Sequence, residues 1–568
     1  MRDEMERSRE RLRIANLERP YYIEYRLLDL EVRAVTASFG AVVTSASTRN
    51  RLMEVAVRVG DYHLDSSNFI SEDGFQGFIG SSGGVGIDRD YDSLRQDLWL
   101  ATDQAYKQAL DSLSRKKGYI RSLASAPNLD DFSRVAQPTV LLSPRVDADW
   151  SSRNWEDEAR AASAALRKFP ELHSSRVTYY LVFATRYMMN SEGTQVRMSR
   201  SLAAIEAAMD SQAADGMKLH HFYTAYAPRP VALPDVAAVR KEIERTGAEL
   251  VAIRSSSPAP DYTGPVLVEA PAAGALLAQM LGPSVSGARS PLSAASFFDR
   301  MMEGLGGRSE WSGRMGTKVF PSGVSLTDDP TANEFRGATL LGGYEVDDEA
   351  VAPQKVTLVE NGTLRGLLMS RRPGAELTPS NGHARTAFLG DARPLMSNMF
   401  FEAAEAQPAA ELRRKFLEQC KSAGRNWCLV VRKMDNPALA LARQDDFMEL
   451  FGGMAAGAAT GERVPLVVYR VHVADGREEL IRGSRLTGVT LRSLRNVAGI
   501  GDDATVTHFF QNPAPGFAGT AFGAFGSAQG GIPASMVAPS LLFEELEVRG
   551  ARGEPRRLPI VPPPPMSE

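Results

Sequence analysis

Apolar residues recur along this chain in two rhythms, one near 3.6 and one of 2, and the switches between them lay out its elements. Residues 2–16 read as a charged helix. Past Pro20 the pattern turns to alternation. Residues 21–28, 32–44 and 52–59 predict three antiparallel strands separated by Ser/Thr/Asn turns. Residues 92–123 return to the helical rhythm, with Leu94, Leu98, Ala101, Ala105 and Ala109 on one stripe. A second helix is predicted over 149–169, closed by Pro170, and a strand over 176–189. The turn Asn190-Ser-Glu-Gly193 then sends the chain back along a strand over 195–208.

A helix over 234–245 follows, between the Pro-containing segments 227–230 and 257–260. These segments place a linker at 231–262. They divide an N-terminal domain, 1–230, from a C-terminal domain, 263–550, with a Pro-rich tail at 551–568. In the second half, Gly264 to Glu269 is strand-like and leads into a small-residue helix, Ala272 to Leu281. A helix is predicted over 291–305. Asn361-Gly362 between apolar runs is a strong hairpin signal. Further elements are a helix over 412–421 and strands over 427–432, 465–473, 478–482 and 539–548, with a Gly/Ala/Phe-rich loop at 513–535. The fold class is α+β in two domains, an N-terminal mixed α/β layer and a C-terminal domain dominated by antiparallel strands.

Composition adds bounds. A chain of 568 residues exceeds the usual single-domain size, and 43% hydrophobic residues suffice for sizeable cores. A net charge of −4 argues against a nucleic-acid partner. No run of 18 apolar residues exists to cross a membrane as a helix. The polar start has no apolar signal core, so the chain as written reads as cytoplasmic, with an upstream export signal as the alternative. Cys420 and Cys428 read as two buried thiols, with one disulfide as the alternative for an exported protein.

Several short patches, in one order, resemble the TldD/PmbA metalloprotease family, also called the modulator of DNA gyrase family. They are Asn190-Ser-Glu-Gly193, Gly264-Pro-Val-Leu267, Gly343-Tyr-Glu-Val-Asp-Asp-Glu349, Val351-Ala-Pro-Gln354, Glu360-Asn-Gly362, Asn381-Gly382 and Pro539-Ser-Leu541. In that family the helix after Gly264 would carry His-Glu-x-x-x-His, two zinc ligands and a general base. Here the first His position holds Ala278, the Glu position Gln279 and the second His position Pro283. Neither Ala nor Pro offers a side-chain lone pair, and an amide cannot take a proton as a carboxylate does. The family's third ligand, a Cys, would come from the loop 519–531, where Phe525 and Ser527 stand in register.

The resemblance therefore implies a peptidase homologue without its own zinc or other cofactor, zinc belonging to catalytic relatives. It implies a homodimer, or a heterodimer with a zinc-bearing TldD-like subunit, holding a peptide or unfolded protein. An active peptidase with a relocated metal, or a stand-alone peptide-binding homodimer, are the alternatives. Candidate cleft residues are His383 and the acidic trio Asp347, Asp348 and Glu349, the latter for a cation or peptide amine. Their structural counterparts are a buried or solvated histidine and a turn that orders the strand after it. No Gly-x-Ser-x-Gly elbow is present, and residues 79–84 read as a loop.

Overall fold

The computed structural model describes residues 1–14, 16–71, 83–124, 128–282, 284–295, 309–377, 379–387, 389–436, 439, 462–511 and 531–551. Its first half is built on a seven-stranded sheet. Two 19-residue strands, Pro20–Ser38 and Ala41–Val59, form one long hairpin rather than the three strands expected. The Ser/Thr-rich stretch 44–50 continues the strand, and the chain reverses instead at Phe39-Gly40, both at positive φ. Pro20–Ser38 pairs on its other side with Leu172–Asn190, which pairs with Gln195–Gln212. The turn between these last two is held by the buried Asn190, whose Oδ1 accepts from the amides of Glu192 and Thr194 at 3.0 and 3.1 Å. Lys218–Ala227 extends the sheet along the upper half of Gln195–Gln212.

Alternation along these strands sorts the two faces. Odd-numbered residues face helices. Ile23, Tyr25 and Leu27 pack under Tyr91–Ser122, and Val35, Val177, Tyr179 and Ile205 pack against Trp155–Ala164 and Val236–Ser255. The even face meets the C-terminal half. Met188, Val196 and Met198 pack there with Val346 and Ala350. At the sheet margin, strand Ala41–Val59 pairs with Gly83–Val85 only through residues 51–53, and residues 43–50 are exposed on both faces.

The segment expected as a linker is a 20-residue helix, Val236–Ser255. Asp235 caps it by accepting from Ala238 N at 2.8 Å, and Val239, Ile243, Leu250 and Ile253 bury into the first-half core. The helix expected over 291–305 is not formed where it is described. Leu292–Ser293 pairs in parallel with Phe69–Ile70, and residues 296–305 lie outside the described residues, as do most of the loop 513–535 and the tail beyond 551.

The second half stacks two sheets. One has Tyr262–Val268 between Leu541–Gly550 and the parallel strand Trp427–Met434, continued by Pro465–His472 and Glu478–Arg482. The other orders Val356–Glu360, Val324–Asp328, Asn398–Ala403, Ile532–Ala538 and Thr505–Gln511, again with one parallel pair. Both sheets are thus mixed, with antiparallel pairs in the majority. Asn361-Gly362 makes the expected tight hairpin, both residues at positive φ. Helix Ala270–Leu281 touches strands of both sheets. Its small residues permit this. A Cβ on Gly274 would lie 2.5 Å from Thr507 Oγ1.

Cys420, late in helix Ala409–Ser422, and Cys428, on the next strand, form a disulfide and are fully buried. This corrects the reading as two thiols. The helix turns directly into the strand, so the two side chains meet. Closing so short a loop restricts the unfolded chain by about 2–3 kcal/mol. The Cys420→Ala/Cys428→Ala double variant should lose that much stability in denaturant titration. An unchanged midpoint would show that the bond constrains nothing the fold does not already hold.

Candidate functional site

Helix Ala270–Leu281 places the two described positions of the zinc motif at the seam between the halves. Ala278 is nearly buried. Gln279 Nε2 donates to the carbonyl of Asp435 at 3.1 Å, just past strand Trp427–Met434. Pro283 lies outside the described residues, as do Phe525 and Ser527. From the N-terminal sheet, His220 brings Nε2 within 3.0 Å of Asp435 Oδ2. Lys433 Nζ donates to the carbonyl of Phe222 at 2.6 Å, and burial pushes its ammonium down to about 8. The residue Gln279 touches, Asp435, thus also forms a His–carboxylate pair with His220, and two positions before it stands a desolvated lysine. Sequence reasoning did not single out Asp435 or Lys433, and no spacing signal links either to His220.

This set does not fit zinc. A catalytic zinc needs three protein ligands and an open position. His220 and Asp435 are two, Ala278 offers no donor, and the Gln279 amide is engaged. No group of three or more His, Cys, Asp or Glu suited to a metal occurs among the described residues.

The acidic trio and His383 lie on a second set of loops, and all four side chains are spent on internal bonds. Asp347 accepts from the amides of Glu349, Val351 and Ala384 at 3.0, 2.8 and 3.0 Å. Asp348 bonds Arg186 and accepts from Thr386 N at 2.7 Å. Glu349 accepts from Arg371 N at 2.6 Å. Burial, with the charge of Glu349 adding to it, raises Asp347 to about 7 against its amide bonds, and burial raises Glu349 against the Arg371 amide and nearby arginines.

His383 is fully buried, its Nε2 3.1 Å from Asp328 Oδ1, and the same carboxylate accepts from the hydroxyl and amide of Ser397. Ser, His and Asp meet here, but the aspartate bridges the other two. Ser397 Oγ donates to Asp328 and not to the imidazole, so no base is placed to activate it. All three are inaccessible to substrate. The arrangement is a buried tie between strands Val324–Asp328 and Asn398–Ala403 and the loop at 381–386.

Comparison with known proteins bears on this geometry. Residues 262–423, from the strand before the frame helix to the disulfide helix, match the family described as "PmbA/TldA metallopeptidase C-terminal domain". Residues 262–423 thus carry the C-terminal domain of the TldD/PmbA family. A protein named "Metalloprotease" from Methanothermobacter thermautotrophicus is 28% identical over 236 residues, 40% of this chain and 46% of that protein. One of the same name from Archaeoglobus fulgidus is 29% identical over 194 residues, 34% of this chain and 38% of its own length. The match thus spans less than half the length of these curated relatives. Solved structures share the fold over almost the whole chain. A putative modulator of a DNA gyrase from Thermotoga maritima aligns with a TM-score of 0.57 at 16% identity, covering 93% of this chain and 96% of that one. TldE from Thermococcus kodakarensis aligns at 0.56 and 14%, covering 93% and 97%. No described helix is long and apolar enough to cross a membrane.

Proposed function

We propose that this TldD/PmbA-type chain is a non-catalytic, substrate-holding subunit of a proteolytic complex. The observation that carries the reading is the replacement of motif positions on an otherwise intact helix, with Ala278 in place of a ligand and Gln279, in place of the base, bonded to the Asp435 carbonyl. The frame is kept in detail while its chemistry is gone. Such a chain serves by binding, with an extended peptide added to a strand edge, and by pairing with a second subunit that supplies zinc. That subunit is a zinc-bearing homologue; a chain acting without an enzyme partner would instead pair with a second copy and hold peptide without cleaving it.

The test is zinc per chain by elemental mass spectrometry after zinc loading and desalting, together with cleavage of a fluorescent unfolded protein. The expected result is near-zero metal, binding of the unfolded protein without cleavage, and cleavage once a zinc-bearing homologue is added. About one zinc per chain with cleavage by the chain alone would overturn the reading. It would point to a metal recruited by His220 and Asp435.

A further inference from the structure

The even-numbered face of the N-terminal sheet carries a diagonal row of arginines. Arg26 stands opposite Met188, Arg186 opposite Leu28 and Met198, and Arg200 opposite Ala184. Successive members are therefore diagonal neighbours on adjacent strands. Their counter-charges thin out along the row. Arg26 has Glu24 at 2.5 Å and Glu54 at 3.5 Å. Arg186 has Asp348. Arg200, half-buried, makes one long bond to the carbonyl of Val346, 3.4 Å.

Arg385 comes down onto the Arg200 end from the C-terminal half. Its side chain is 3% exposed. Among the described residues Nε and Nη1 have no hydrogen-bond acceptor, and the nearest carboxylate oxygen, on Asp348, is 3.7 Å from Nε and already bonded to Thr386 N. Both guanidinium groups address the ring of Tyr344, Arg385 at 4.3 Å and Arg200 at 5.5 Å from its centre. The Tyr344 hydroxyl donates to the Gly382 carbonyl at 2.8 Å. Two cations thus share one aromatic ring, with the Asp348 carboxylate bonded elsewhere and Glu345, Asp347 and Asp328 acting on them only through space. Burial and mutual repulsion push Arg200 well below the usual guanidinium range, and burial lowers Arg385. A buried charge without a partner is costly, and a planar oxyanion is the partner that guanidinium donors accept best.

We propose that Arg200 and Arg385, set around Tyr344, form a receptor for the carboxylate of a bound peptide. Arg200, half-buried, is the arm that meets the ligand, and Arg385 supplies the fully buried donors. The proposal rests on the peptide-holding reading above. It adds that the held segment presents a free carboxylate, at its C-terminus or on an acidic side chain, where loop 342–350 crosses the sheet.

The experiment is calorimetric titration of the full chain with acetyl-Ala-Ala-Ala as the free acid and as the amide, and with inorganic phosphate alone. It is repeated on Arg200→Gln and Arg200→Lys, each first checked for an unchanged melting temperature. The acid is expected to bind at least tenfold more tightly than the amide. Arg200→Gln should erase that preference and Arg200→Lys retain part of it. Acid and amide binding alike, with Arg200→Gln silent, would overturn the receptor while leaving the peptide-holding reading intact. Phosphate binding that depends on Arg200, with neither peptide bound, would keep an oxyanion site but overturn its assignment to a peptide. No binding of any probe would overturn both.

Discussion

Asp328→Ala should lower the stability of the protein by about 3–5 kcal/mol, the range for breaking a buried ionic or hydrogen-bonded centre by removing one partner. Asp328, His383 and Ser397 are fully buried, and Asp328 alone satisfies the Ser397 hydroxyl, the Ser397 amide and His383 Nε2. Truncation strands all three donors at once, and no water reaches them without opening the sheet. On its other side the imidazole faces two oxygens of Asn381, at 3.0 and 3.1 Å, so it cannot swing to a new partner. Asp328→Asn keeps the shape and one acceptor and should cost less. Urea titration of both variants is the check. A loss below about 1 kcal/mol in Asp328→Ala, the worth of one ordinary hydrogen bond, would mean that the triad of buried groups is not a structural tie.

The second large effect is in acid. His221 is fully buried on strand Lys218–Ala227, its Nε2 2.7 Å from Glu249 Oε2 of helix Val236–Ser255, and its Nδ1 has no partner among the described residues. Burial pushes the imidazole down to about 4 in spite of the carboxylate. Between pH 6.5 and 4 the unfolded chain takes up a proton here that the folded chain refuses. Stability therefore falls as pH falls through this window, at about 1.4 kcal/mol per pH unit, approaching about 3 kcal/mol at its lower end. Glu249, held below its usual range by hydrogen bonding to His221, adds a loss of the same sign below its unfolded value. His221→Gln cannot titrate. Its stability relative to the wild type should improve steadily from pH 7 to pH 4.5. Parallel curves for the two proteins would show that folding leaves the titration of His221 unchanged.

Most elements with a strong period were legible in the sequence, and so was the frame helix, because each announces itself locally. Tyr91–Ser122 has its apolar stripe and an Asp90 cap, and Asn361-Gly362 admits little but a tight hairpin. The failures share a cause. Residues 44–50 look like a turn because Ser and Thr suit turns as well as strands, and only pairing with Pro20–Ser38 decides between them. The helix expected over 234–245 runs on to Ser255, because its start is signalled locally and its packing against the first-half core is not. The neighbourhood of Gln279 was least legible. Asp435 meets Gln279 through its carbonyl and His220 through its carboxylate, while Lys433 reaches Phe222 across the seam, and nothing in the spacing of those residues records a meeting made by tertiary packing.

The long hairpin Pro20–Val59 carries one further consequence. Along residues 44–50 strand Ala41–Val59 has a neighbour on one side only among the described residues, with both faces exposed. In an antiparallel pair, amides point alternately toward the partner strand and away from it. Deuterium should therefore enter this stretch with a two-residue beat, one amide slowed by its bond to Pro20–Ser38 and the next exchanging as if no sheet were there.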